Sequence, residues 1–309
     1  MRWLPPLALV VAVTAVAGWP VLATVIEGGR SWLRPDQALA SPGAALDAAS
    51  SIEVLSESRG LARPVLLARD SIALVLSTEA IALPLGVVLA VLLFRTDAWG
   101  RWLLVMLFAL AVFVPLPLHA TAWLGALGNA GRAQVIGLRP ILVGCWGAAI
   151  VHALAALPWV VLIEGVGLCA VEPELEESAR LEMPPLSVLT RVSLRRTVST
   201  IAAAALAVAV LTAGDMTVTD LLQVRTYAEE AYVQYILGRG PGEAAVVALP
   251  PLLLLGLLIL IVGRWLARYD PARLISSFAR PRTWALGRWR IPCGLLLLAL
   301  VGNGVALPL

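Results

Sequence analysis

The sequence predicts an all-α fold, a polytopic transmembrane helical bundle, on three observations. Hydrophobic residues fill 60% of 309 positions and charged residues only 14%, with a mean hydropathy of +0.89, whereas a soluble domain carries about 25% charged residues. Six apolar runs reach the roughly 20 residues needed to cross about 30 Å of hydrocarbon. Between two of them lies a strongly charged island, Val171–Arg196, with five carboxylates and four arginines. At about 2.5–3.5 kcal/mol for each central charge, that island is excluded from the bilayer core and reads as an organised aqueous loop.

The apolar runs are Leu4–Ile26, Ile72–Phe94, Trp102–Leu124, Ile141–Leu168, Val198–Leu222 and Val246–Leu266. The first lacks a small-x-small cleavage site and runs past Trp19-Pro20, so it reads as an uncleaved anchor rather than a signal peptide. A seventh run begins at Ile291 and is still apolar at Leu309. With the N-terminus inside, short inner segments hold 14 of the 23 arginines: Arg2, Arg95, Arg101, the four of the island, and seven between Arg264 and Arg290. The remaining nine sit on longer outer loops beside acids such as Asp36 and Glu53. The positive-inside bias therefore places residues 171–196 and 268–290 in the cytoplasm and 27–70 outside. This gives a six-span unit over residues 1–270, then a cytoplasmic linker and the start of a further transmembrane helix over 271–309. The expected location is the cell inner membrane, multi-pass, with the lipid bilayer as the surrounding partner.

Composition removes several function classes. There is no lysine, which a coding bias explains without any function, and the net charge of +3 follows from topology. No nucleic-acid partner is expected. Cys145, Cys169 and Cys293 lie in or beside apolar helices without CxxC or Cys/His spacing, and read as small hydrophobes. No Ser/His/Asp pattern, metal-ligand spacing or phosphate loop occurs, so no catalytic residue, metal or cofactor is expected and the chain is not read as an enzyme.

Within the island, Glu172, Glu174, Glu176 and Glu177 crowd a first helical turn, where acids complement the helix dipole. A helix of about ten residues is expected over Pro173–Met183. Pro184-Pro185 ends it, because the residue before a proline is pushed out of helical geometry. A second short helix is expected over Leu186–Leu194. A helix–turn–helix at the membrane surface suits docking of a partner; an ordinary loop anchored at the headgroups is the alternative.

Leu175-Glu-Glu-Ser-Ala-Arg-Leu-Glu182, followed by Arg191-Val-Ser-Leu-Arg195, resembles the EAA motif of binding-protein-dependent ABC importer permeases. Glu177, Ser178 and Ala179 match its opening, Val192 and Leu194 its close; Met183 stands where the motif has glycine, and Arg195 where it has proline. Leu83-Pro-Leu-Gly86 with Leu93-Phe-Arg-Thr-Asp97, Val151–Trp159, and Ala213–Leu222 with Val224–Glu230 are similar to iron(III)/thiamine-type permeases, in order over about residues 65–270. The resemblance implies a type I ABC importer permease bundle, similar to the first half of a fused two-half permease. Its coupling loop at 171–196 (Glu177, Ser178, Ala179, Leu181, Met183, Val192, Leu194) would dock on a cytoplasmic ABC ATPase. It also implies a periplasmic or extracellular solute-binding protein, a second permease half or homodimer, alternating access, and ferric iron as the family-level cargo, with thiamine, polyamines, sulfate or phosphonates open.

Intramembrane ionisable groups are functional candidates. Asp215, Thr217, Thr219 and Asp220 fall in the outer third of the fifth run and either line a translocation path or cap a helix end. Glu79 and His119 read as packing contacts, and Glu164 as reaching the headgroups near the inner end of the fourth run. The reading from another class is a non-transporting membrane scaffold or a degenerate permease fragment.

Overall fold

The computed structural model describes residues 62–128, 142–237, 241–267 and 284–298 apart from 286 and 296, together with 131, 137, 139 and 140. The expected span Leu4–Ile26, nearly all of the loop 27–70, the linker 268–283 and the run beyond 298 lie outside the described residues. Among the described residues all regular structure is helical, apart from one isolated parallel β-bridge between Thr96 and Trp284. The helices are α1 (Ala62–Arg95), α2 (Arg101–Ala111), α3 (Leu116–Leu127), α4 (Gly144–Cys169) and α5 (Pro173–Glu182). They continue with α6 (Pro185–Arg196, including a π-helical stretch Leu189–Ser193), α7 (Val198–Ala213), α8 (Thr217–Leu221), α9 (Tyr227–Ile236) and α10 (Pro241–Leu266).

Three of these, α1, α4 and α10, are single helices long and apolar enough to cross a membrane. They coincide with the second, fourth and sixth apolar runs. Two of the expected spans are not single unbroken helices. The run Trp102–Leu124 is not one helix: α2 and α3 meet at a bend of 108°. At 11 and 12 residues each is only about 16–18 Å long, too short to cross alone. Val114 precedes Pro115, and Pro117 follows in the first turn of α3, so the backbone leaves the helical region there. The run Val198–Leu222 is interrupted likewise at Gly214–Met216, and α7 is bent by 64° from α6. Counting each bent pair as one span gives five among the described residues.

The described chain divides into a larger unit (Ile72–Val224 with Leu255–Leu309) and a smaller one (Met1–Ser71 with Arg225–Leu254). In the larger unit α4 is the central helix: 61% of its apolar window is buried, against 28% for α1. Its most extensive partner is α7, and α2, α3 and α8 also pack on it. Three apolar clusters line α4 in turn. The first joins Val151 to Leu74, Ala120 and Val218; the second joins Ala153 and Val160 to Ala82, Ala204 and Val208; the third joins Val161 to Leu93, Leu104 and Phe108.

Alanine and glycine at these crossings let backbones approach, which is how helices pack where lipid is as apolar as the side chains. A Cβ on Gly86 would collide with Val160, one on Gly165 with the Phe94 ring, and one on Gly167 with Thr200. Gly100, with φ 74°, supplies the left-handed residue that turns the chain from α1 into α2. In the smaller unit, the Thr226 side chain caps α9 by accepting from Glu229 N (3.3 Å), and Tyr227 N donates to Ser71 Oγ (3.1 Å).

Candidate functional site

The charged island forms a helical hairpin against the end of the bundle. Pro173 sits in the first turn of α5, where its missing N–H costs nothing, and Glu174 and Glu176 share that turn. Pro184 and Pro185 impose the extended corner before α6. Met183 has φ −140°, ordinary extended backbone, so the glycine of the motif is not sterically required here.

One face of α5 turns inward on a single residue. Glu176, 3% exposed, accepts from Arg95 Nη1 through Oε2 (2.9 Å) and from Ser193 Oγ through Oε1 (2.5 Å). Arg95, 1% exposed, also donates from Nη2 to the carbonyl of Leu168 (2.8 Å). One guanidinium thus joins the last residue of α1, the last turn of α4 and the first turn of α5. Charge-assisted bonds of this kind are about twice as strong as neutral ones, and the planar fork fixes direction as well as distance. Ser193 closes the π-helical stretch of α6, so the same carboxylate ties both limbs of the hairpin.

A second buried carboxylate fastens the start of α7. Glu164 of α4 is wholly buried and accepts from Thr197 Oγ1 (2.6 Å) and Thr200 Oγ1 (2.7 Å). This corrects the expectation that Glu164 reaches the headgroups: its acceptors are used by α7, inside the protein. The Glu172–Arg196 contact, by contrast, spans 3.7 Å between half-exposed groups and contributes about 0–1 kcal/mol.

The opposite face of α5 is open. Glu174, Glu177, Ser178, Leu181 and Glu182 are exposed there, as are Leu186, Thr190 and Arg191 on α6. Leu181 is 88% exposed and Leu186 70% exposed, two large apolar side chains left mostly uncovered by the described residues. Of the residues expected to form the coupling surface, Glu177, Ser178 and Leu181 lie on this open face. Ala179, Met183, Val192 and Leu194 are half-buried and support the hairpin.

Asp215, Thr217, Thr219 and Asp220 do not converge. Asp215 Oδ2 accepts from Val218 N (2.8 Å), satisfying the first turn of α8, and lies 3.5 Å from Nε2 of buried His152. Thr219 is buried and returns its hydroxyl to the carbonyl of Met216 (3.0 Å), Thr217 is half-buried, and Asp220 is exposed. His119 is buried in α3 and Glu79 half-buried in α1. Asp215→Ala is therefore expected to cost about 1 kcal/mol as the loss of a cap, and Asp215→Asn, which still accepts, much less. Thermal unfolding of the detergent-solubilised chain checks this; equal losses for both variants would argue for an ionic rather than a capping role.

Glu176, Arg95, Ser193, Thr197 and Thr200 are the organising residues that sequence reasoning did not select. The one available signal was the arginine closing the apolar run before Thr96-Asp97.

No protein-family model matches the sequence, and no curated protein does. Solved structures of like fold exist. One matching chain belongs to a bacterial alginate ABC transporter in complex with an alginate pentasaccharide-bound periplasmic protein, at 14% identity and TM-score 0.53, covering 81% of this chain and 94% of that one. Another belongs to a bacterial ABC transporter involved in the import of the acidic polysaccharide alginate, at 13% identity and TM-score 0.53, covering 84% and 99%. At such identities the likeness establishes a shared fold.

Proposed function

We propose that this chain is the permease subunit of an ATP-driven, binding-protein-dependent importer of the inner membrane, with α5 and α6 as its docking element for a separate ABC ATPase. The observation that carries this reading is the two-sided hairpin: one face bolted to the bundle through Glu176, the other presenting Leu181 and Leu186 within a charged rim. Apolar residues exposed in the middle of a polar patch mark contact sites. The fold shared with chains in two solved structures of alginate ABC transporters supports the same reading, as does a sequence without any phosphate loop, which leaves ATP hydrolysis to a partner. A periplasmic solute-binding protein would deliver cargo from the other side of the membrane.

In the cycle, ATP closes the ATPase pair, the hairpin moves with it, and the bundle alternates its access. Such rocking needs two bundles, supplied by a second copy or a separate half; two-fold closure is the commoner arrangement. Ferric iron is the cargo suggested by the sequence resemblance, whereas the transporters of like fold handle alginate. The solute bound by the partner binding protein would identify the cargo.

Leu181→Asp places a charge at the centre of the open face without touching the bundle, so the protein should still insert while co-purification of the ATPase drops by at least about tenfold, the factor equivalent to 1.4 kcal/mol. Undiminished recovery of the ATPase would sink the docking assignment. Sidedness is tested separately by labelling Ser187→Cys in intact cells, where a membrane-impermeant maleimide should fail to react until the cells are permeabilised.

A further inference from the structure

Arg95 makes contacts beyond the hairpin. Its backbone carbonyl accepts from Trp284 N (2.8 Å), and Asp97 N donates to the carbonyl of Trp284 (3.2 Å), which forms the isolated bridge. The returning segment is fastened further along. Trp99 N donates to the carbonyl of Arg290 (3.2 Å), and Arg290 Nε donates to the carbonyl of Asp97 (2.9 Å). Gly294 sits so close to the Trp99 carbonyl that a Cβ there would collide, and Leu297 is buried among Leu93, Leu104 and Phe108. The segment 284–298 is thus built into the larger unit beside the turn between α1 and α2. It also meets α5 directly: the Arg180 guanidinium carbon lies 5.8 Å from the centre of the Trp284 ring. Arg180 stands four residues, about one helical turn, after Glu176.

We infer that Arg95 is a positioning residue that joins α5 to the 284–298 segment, so that a displacement of α5 is delivered to that segment, whose residues 290–295 are helical. The inference rests on the reading of α5 as the ATPase-docking element. Its geometry is a single buried side chain holding α5 by Glu176 and α4 by the Leu168 carbonyl, on the residue whose main chain pairs with Trp284. A swivelling surface contact would let α5 tilt alone; a guanidinium with two acceptors in different helices resists that rotation. The Arg180–Trp284 contact ties α5 to the returning segment directly, beside the indirect path that runs from Glu176 through Arg95 to Trp284. A lysine carries the charge but lacks the planar fork, and should hold Glu176 while losing direction.

The test uses the full chain in lipid nanodiscs with Cys145, Cys169 and Cys293 replaced by alanine. Spin labels at Glu182→Cys and Leu295→Cys report the separation of α5 from the returning helix by pulsed electron resonance. The isolated wild-type background should give one narrow distance. In Arg95→Ala that single distance should be lost to a broad distribution, and in Arg95→Lys it should be partly recovered. In complex with the ATPase, Arg95→Ala should lower kcat for ATP and leave KM for ATP unchanged, with Arg95→Lys intermediate. Glu176→Gln, which keeps size and acceptor but not charge, serves if the alanine variant does not fold, and should broaden the distance as well. A narrow wild-type distance that persists in Arg95→Ala overturns the inference, as does a broadened one accompanied by unchanged kcat. Failure of the wild-type chain to bind the ATPase overturns the docking reading instead, and is told apart because the distances in the isolated chain need no partner.

Discussion

Glu176→Ala should lower the stability of the folded chain by about 3–5 kcal/mol, the cost of breaking a buried pair from one side. The size follows from what is left behind. Arg95 is 1% exposed and would keep its charge with one neutral acceptor, the Leu168 carbonyl, while Ser193 would lose its short bond to Oε1. Arg196→Ala is the control, since its contact with Glu172 is half-exposed and should cost about 0–1 kcal/mol. The pair itself is not a source of net stability, because desolvating two charges offsets most of their attraction. Arg95→Met with Glu176→Leu should therefore regain most of what Glu176→Ala loses. Urea unfolding in mild detergent measures all four proteins. A Glu176→Ala variant within about 1 kcal/mol of wild type would mean that the junction is wetter than its burial implies.

That asymmetry explains which parts of the site the sequence disclosed. The hairpin was legible: four glutamates within six residues, then Pro184-Pro185, fix a short helix and a corner by local chemistry alone, and α5 ends at Glu182, one residue short of the expected Met183. Which of those glutamates faces inward was not legible, because the choice is made by Arg95, 81 positions upstream. The same division holds for the spans. Hydropathy measures composition, so it finds α1, α4 and α10 but also passes the bent pair α2 and α3 as one run. Proline does not separate the cases, since Pro84, Pro158, Pro250 and Pro251 lie inside continuous helices whereas Pro115 and Pro117 accompany a break. Neighbouring helices decide whether a freed carbonyl is re-satisfied. For Glu164 the sequence offered only depth in the run; its two threonine donors lie 33 and 36 positions further on.

The crossing of α1 and α4 should respond to a single added methyl. In Gly86→Ala the new Cβ would overlap Val160 Cγ1 and lie 2.7 Å from Val160 Cβ. A rotamer change could move the γ carbon, although a valine in a helix has one strongly preferred χ1. The β carbon is fixed to the backbone and cannot step aside, so the helices must separate. Separation opens the cluster in which Ala82, Ala153, Ala204 and Val208 pack against Val160. Overpacking of this kind costs about 1–3 kcal/mol, which exceeds or matches the gain of up to about 1 kcal/mol from replacing a helical glycine by alanine. The sign expected is therefore destabilising, opposite to the prediction from propensity alone. Val160→Gly moves the small residue to the other helix and removes both colliding atoms. Alone it should destabilise through the lost side chain; combined with Gly86→Ala it should show a favourable coupling of about 0.5–3 kcal/mol, as contacting residues do. Thermal unfolding of the four proteins of this cycle in detergent gives the coupling directly. Strict additivity, or a Gly86→Ala variant more stable than wild type, would show that α1 and α4 do not meet backbone to backbone at this level, and the placement of α4 as the central helix would have to be redrawn.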